Sequence, residues 1–446
     1  MRAPTPLEGA VAGFFALTTV GTSIAPDRMS TVMIAAAVWP GALLWRMLLP
    51  RSGPGERTRR DPDVALVLLL VGAYGIGLVL SPAPLGGVIE TALLIGTTGA
   101  AALVGIFARP GPDDRGDHTR VLAVAEIGLL LACAPAVFRM VQGGVSLQNR
   151  LRIPELGGTN LLAMTAAILV LLRLSSGRVE PRHLAAAGAN TVIVCLTFSR
   201  AAVAGLLIGL GVLGALRFGA RLQVGGQRSP GRVDVGRRRT RSRRARRRRR
   251  RIGLALAAAA TLAAAVAGRA GGGVGAIVDR YWNPQRWKAS GRGQLLEQAV
   301  AAIERRPWTG VGPRLFEGDV PQLEQRVAED GTTISSHNQF VQFVLELGIP
   351  LGLVALGVWL AILVRASGRR QLPAVAAVVI VSFSATFLDV AQVQWAFALL
   401  LAGPVAGTRR STGRRSATPP TGSTVSRPRI PIGAAAGPGV IDLRDR

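Results

Sequence analysis

The sequence predicts an all-α membrane protein of about twelve transmembrane helices, with a large helical extracytoplasmic loop between helices nine and ten. Three observations carry that prediction. Apolar runs of bilayer length, roughly 17 to 25 residues, recur along most of the 446 residues. Positive charge alternates between successive loops. One loop, 268–336, is long and carries an apolar pattern of its own. A composition that is 49% hydrophobic with a formal net charge of +28 is also rare among water-soluble domains.

The runs lie near 9–25, 30–49, 64–80, 87–108, 121–141, 159–175, 184–199, 201–218, 252–267, 338–364, 372–389 and 391–407. The first follows little positive charge and is succeeded at once by a second, so it reads as span one and not as a cleaved leader. Cytoplasmic loops retain Arg and Lys. Most of the 53 basic residues fall on the even-numbered loops and the tail, which predicts that both termini are cytoplasmic. The chain then divides into spans one to eight (1–216), a basic cytoplasmic loop (217–251), span nine (252–267), an extracytoplasmic lid loop (268–336), spans ten to twelve (337–407) and a basic cytoplasmic tail (408–446).

Some chemistry is excluded. Cys133 and Cys195 fall inside predicted spans, unlike a secreted disulfide framework. His118, His183 and His337 sit on different loops without ligand spacing, so no metal or other cofactor is expected. Charge stabilisation must then come from arginine. The basic loop ends in "GRRRTRSRRARRRRRR". It lacks interleaved aromatics and is tethered at the membrane, so anionic lipid, not nucleic acid, is its expected partner. The tail has too few large apolar residues to build a core.

Within the lid loop, Leu295, Leu296, Ala299, Val300 and Ile303 recur at helical spacing over 294–304, with Glu297 and Glu304 toward the polar side. Pro307 ends that helix. Trp282, Trp287 and Trp308 are placed to lie at headgroup level. A helical lid over a membrane mouth implies a site beneath it.

Polar residues in apolar runs mark candidates for that site. Arg200 in "TFSRAAVAG" interrupts an apolar run and reads either as a snorkelling turn residue or as an anion clamp. Asn160 in "GGTNLLAM" reads as a helix cap. Glu126 and Asp389 read as ion-pair or interface residues. Asn338, Gln342 and Glu346 fall at i, i+4 and i+8 and form a polar stripe that must face protein or water, with Gln339 broadening it. His337 stands at the outer lip of the stripe, either as a surface residue or in a functional role.

Four stretches, in order over 157–352, resemble the O-antigen ligase and polymerase superfamily of membrane glycan-assembly enzymes: "GGTNLLA", "TFSRAAVAGLL", "GRGQLLEQAVAAIERRPWTGVGPRLF" and "SHNQFVQFVLELGIPLG". The twelve-span plan with a lid between spans nine and ten fits as well. Gly348 and Gly352 enclose one residue more than the family's usual spacing.

The resemblance implies a metal-independent, inverting transferase. It would move a glycan from a polyprenyl (undecaprenyl) diphosphate donor to a glycan or glycolipid acceptor at the outer face of the cytoplasmic (inner) membrane. Arg200 and Arg292 match the family's arginines, and His337 matches its histidine. Arg280, Arg314, Asn160, Asn338 and Gln342 are the implied substrate-binding residues. The chemistry is consistent: a departing lipid diphosphate needs arginine forks, and the acceptor hydroxyl needs a base of near-neutral pKa. Ligase and polymerase stay open, because no residue here reads the acceptor. A flippase or other transporter of lipid-linked oligosaccharides is the alternative, although the two halves show no internal repeat.

Overall fold

The computed structural model describes residues 5–24, 31–48, 54–81, 85–109, 119–143, 150–153, 156, 158–176, 181–226, 292–316, 338–366, 368, 371–383, 385 and 394–402, all within one unit, Met1–Gly407. Span nine, most of the basic loop, much of the lid and the tail lie outside the described residues. So do His337, Arg280, Trp282, Trp287, His118 and Asp389.

Among the described residues the elements are all helical: α1 (Pro6–Ile24), α2 (Thr31–Leu48), α3 (Pro54–Val79), α4 (Leu85–Phe107), α5 (Thr119–Gln142), α6 (Gly158–Ser175), α7 (Pro181–Leu196), α8 (Arg200–Gly226), α9 (Arg292–Arg305), α10 (Gln339–Ala366), α11 (Leu372–Ser382) and α12 (Gln394–Leu401). Four of them, α3, α5, α8 and α10, are long and apolar enough to cross a membrane, and α2, α4, α6 and α11 are shorter apolar helices. The start signals are local. Thr5 and Glu8 form a capping box at α1, the Thr5 amide donating to Glu8 Oε2 at 2.7 Å and the Glu8 amide to Thr5 Oγ1 at 3.2 Å. Pro54 and Pro181 open α3 and α7, where a missing N–H does no harm.

α6 sits at the centre. Residues 161–176 are all buried, which is why this helix is apolar on every side and shows no amphipathic face. It packs against α7, α8 and α11. Gly209 allows α8 to approach α11, since a Cβ there would lie 2.7 Å from the Pro373 carbonyl.

The largest departure from the sequence reading is at α10. The run 338–364 reads as one straight span, yet Gly348 has φ 75° and ψ 169° and breaks the helix into arms 339–347 and 349–366. The Phe340 and Trp359 rings are 5.9 Å apart and those of Phe343 and Trp359 6.0 Å apart. In a straight helix Phe340 and Trp359 would be separated by about 28 Å. A Cβ on Gly352 would lie 2.6 Å from the Phe343 carbonyl. The arms therefore fold back on one another as a hairpin with Gly348 at its tip. Hydropathy runs unbroken across the tip, so only the Gly348 and Pro350 breakers mark it in sequence.

Three ion pairs close the end of the bundle opposite that tip. Asp63 on α3 takes Arg109, just beyond α4, and Arg365 in the last turn of α10. Arg109 also donates its Nε–H to the Leu401 carbonyl at 2.7 Å. Glu126 on α5 and Arg173 on α6, each 3% exposed, form a two-pronged pair with Nε to Oε1 at 2.8 Å. Of the two readings of Glu126, ion pair or interface, the ion pair is the one found.

Candidate functional site

The α7–α8 connection is a tight turn of residues 197–199. The Thr197 hydroxyl donates to the Val194 carbonyl at 2.7 Å, and the Ser199 amide donates to Thr197 Oγ1 at 3.3 Å. Between them Phe198, buried, takes a left-handed φ of 52°. Ser199 is the N-cap of α8, its Oγ accepting from the Ala202 amide at 3.5 Å. The same hydroxyl donates to Asn160 Oδ1 at 3.0 Å. Asn160 is the third residue of α6 and joins two helix starts here, whereas the sequence had suggested a cap. Arg200, half-buried, is the first residue of α8. A tight turn does precede Arg200, and it fixes where the side chain begins.

The second part of the site is the hairpin tip. Pro350 has no N–H, so the Glu346 carbonyl has no helical donor four residues on; it accepts from the Gly312 amide at 3.1 Å instead. The Ile349 amide, turned away from the first arm, donates to the Pro307 carbonyl at 2.7 Å, and the Leu345 carbonyl it would have used accepts from the Val311 amide at 2.9 Å. The lid segment 306–316 is thus stitched onto the helix break by backbone bonds that the break itself set free. Close approach depends on glycine. Gly310 and Gly348 both have positive φ, and a Cβ on Gly310 would lie 2.5 Å from the Glu346 carbonyl and the Gly348 amide.

Residues 312–315 form a turn, the Leu315 amide donating to the Gly312 carbonyl at 3.2 Å, with Pro313 second and Arg314 third. Arg314 has φ 59°. A positive φ at the third place is the type II pattern, which favours glycine or asparagine there. Phe198 and Arg314 are the two non-glycine residues with positive φ among the described ones, and each lies at or beside a candidate arginine. The Arg314 amide donates to Glu346 Oε1 at 2.9 Å, and Gln342 Nε2 donates to the same oxygen at 2.7 Å. Glu346 is 0% exposed, and Gln339 and Gln342 are buried as well. The polar stripe faces protein, as lipid exposure would not satisfy it.

α9 covers the tip. Its Leu295, Ala299 and Ala302 pack with Phe316 against Leu345. Glu297 and Glu304 face outward, and Trp308 is 77% exposed. Arg292 is the first residue of α9. At the other end of the short arm, Asn338 caps α10, with Oδ1 accepting from the Phe340 amide at 3.0 Å and the Val341 amide at 3.3 Å. Phe340 stacks on Phe383 at 4.5 Å. Phe383 directly follows α11, whose Ala377 and Val381 adjoin Gly205 on the first turns of α8. These contacts bring the Asn338 end of the short arm toward the start of α8, where Asn160, Ser199 and Arg200 lie, while Gln342 leads along the same arm to Glu346 and Arg314 at the tip. The sequence assigns no role to Ser199 and places Glu346 in the polar stripe without a partner for its carboxylate.

Residues 185–356 match the O-antigen ligase family model. Over this segment the chain resembles the O-antigen ligase superfamily. A search of curated proteins finds no match to the chain. The matched residues run from α7 through both arms of α10 and take in Ser199, Arg200, Arg292, Arg314, Asn338, Gln342 and Glu346, with Asn160 just before them. The match supports a ligase- or polymerase-type role in membrane glycan assembly, with a lipid-linked glycan as donor and a glycan as acceptor. It lends no support to a transporter.

Proposed function

We propose that this protein, like the O-antigen ligase family its residues 185–356 match, transfers a glycan from a polyprenyl diphosphate carrier to an acceptor hydroxyl at the extracytoplasmic face of the cytoplasmic membrane. On this reading the chain crosses twelve times with both termini inside, the lid 268–336 lies outside, and the arginine-rich loop rests on anionic lipid. The acceptor oxygen attacks the anomeric carbon from the side opposite the diphosphate. The bond from that carbon to the phosphate oxygen breaks, its electron pair leaves with the diphosphate, and the anomeric configuration inverts. His337 takes the hydroxyl proton. Arg200 and Arg292 hold the diphosphate oxygens, where negative charge grows in the transition state, and need no metal to do so. Arg280 and Arg314 add further positive charge, and Asn160, Asn338 and Gln342 orient the sugars.

One observation carries the reading: within the family-matched segment, an arginine occupies the third place of a turn that favours glycine, and that turn is clamped to the helix that follows His337. Backbone strain of this kind concentrates at functional sites. The capped start of α8 adds favourable backbone N–H groups for an anion beside Arg200.

The test is a transfer assay with purified protein in vesicles holding polyprenyl-diphosphate-linked glycan and acceptor. His337→Ala lowers turnover by about a hundredfold or more, and Arg200→Ala does so by about the same factor. Wild-type turnover in His337→Ala removes the base, and unchanged donor binding and rate in Arg200→Ala removes the clamp. Deleting the gene distinguishes the two activities. Single repeats on the carrier lipid mean polymerase, long unattached chains mean ligase, and a normal profile counts against both.

A further inference from the structure

We infer that Glu346 is a positioning residue, whose carboxylate fixes the backbone of Arg314 and so aims the arginine at the donor diphosphate. What Arg314 meets rests on the function proposed above; how it is held does not. The Glu346 carboxylate is 0% exposed and its residue lies two positions before the hairpin bend at Gly348. Its Oε1 accepts from the Arg314 amide at 2.9 Å and from Gln342 Nε2 at 2.7 Å. Its own carbonyl accepts from Gly312 at 3.1 Å, so side chain and main chain of one residue grip both ends of the same Gly-Pro-Arg step.

The grip offsets a penalty. A left-handed conformation disfavours any residue with a Cβ, and an undocked turn would relax by letting Arg314 leave that region. An acceptor directed at the Arg314 amide favours the left-handed turn over the relaxed ones. What this role requires of residue 346 is an oxygen at the right reach. The role itself does not call on its negative charge, which is unfavourable beside a diphosphate.

That gives an ordering which a charge role or a simple buried-anion role would reverse. Glutamine keeps the reach without the charge, and aspartate keeps the charge while withdrawing it by one methylene. The full-length protein, with Cys133 and Cys195 replaced by alanine, carries a spin label at Thr309→Cys, an exposed position in the docked segment. Label mobility is measured in detergent, together with the affinity for inorganic pyrophosphate.

In E346Q the label stays as immobile as in wild type, and pyrophosphate binds as well or better. In E346D the label gains mobility and pyrophosphate weakens by about tenfold. R314A weakens pyrophosphate by a similar factor, and combining it with E346D adds little more. Aspartate outperforming glutamine in both readouts overturns the inference, as does E346D weakening pyrophosphate equally with and without Arg314. If wild type binds no pyrophosphate, the diphosphate reading of Arg314 fails, and the label ordering alone then decides whether Glu346 holds the turn.

Discussion

At the ion-pair end of the bundle, Glu126 and Asp63 are met by guanidinium groups; at the hairpin end, Glu346 is met by a backbone amide and a side-chain amide. Both arrangements satisfy a buried carboxylate, but they use arginine differently. Arg173, Arg109 and Arg365 are engaged through their side chains, and in doing so tie α3, α4, α5, α6, α10 and α12 together. Arg314 is engaged through its main chain, and Arg200 follows a serine cap that is bonded to Asn160. At one end the charge itself holds helices together. At the other, hydrogen bonds from amide donors set the geometry from which the arginine side chains begin.

Breaking each end separates the two roles. The largest effect is expected from Glu126→Ala, which strands the Arg173 guanidinium at a depth where water is scarce and costs about 3–5 kcal/mol. Thermal unfolding in detergent will show the loss. Transfer per folded molecule stays near wild type, because the proposed donor site lies at the opposite end. A smaller stability loss, about 1–2 kcal/mol for a side chain forced to positive φ, is expected from Gly348→Ala, which also drives a Cβ against the Trp308 carbonyl. Here activity falls well beyond what stability explains, since the lid segment leaves the tip. If Gly348→Ala unfolds the protein while the surviving fraction stays fully active, the docked lid has no catalytic part.

Legibility in the sequence followed the range of the interactions. Helices set by hydropathy and local caps could be read directly, and described helices overlap eleven of the predicted runs, one of them, 338–364, as a hairpin, with 252–267 outside the described residues. The amphipathic helix ahead of Pro307 could be read for the same reason and appears as α9. The α10 hairpin could not, because hydropathy sums composition along a run and does not register a reversal within it. Gly348 and Pro350 were visible, but their effect needed the lid to accept the backbone groups they release.

Asn160 shows the same limit. Its residue type favours a cap, and its actual partner, Ser199, is 39 positions away. The polar stripe needed no long-range knowledge, since a carboxylate in an apolar run is costly unless buried in protein. Arg314 lay between these cases. Its place after Gly-Pro was a sign of a turn that favours glycine, and the resemblance had ranked it behind Arg200 and Arg292.

The central claim is that the hairpin end presents arginine to a lipid diphosphate, and Arg314→Gly tests it most directly. Glycine suits a positive φ better than arginine does, keeps the amide that Glu346 binds, and leaves the turn and the docked lid in place. The account predicts a melting temperature equal to or above that of wild type, with glycan transfer from the polyprenyl diphosphate donor reduced about tenfold. Undiminished transfer by an equally stable Arg314→Gly protein would contradict it.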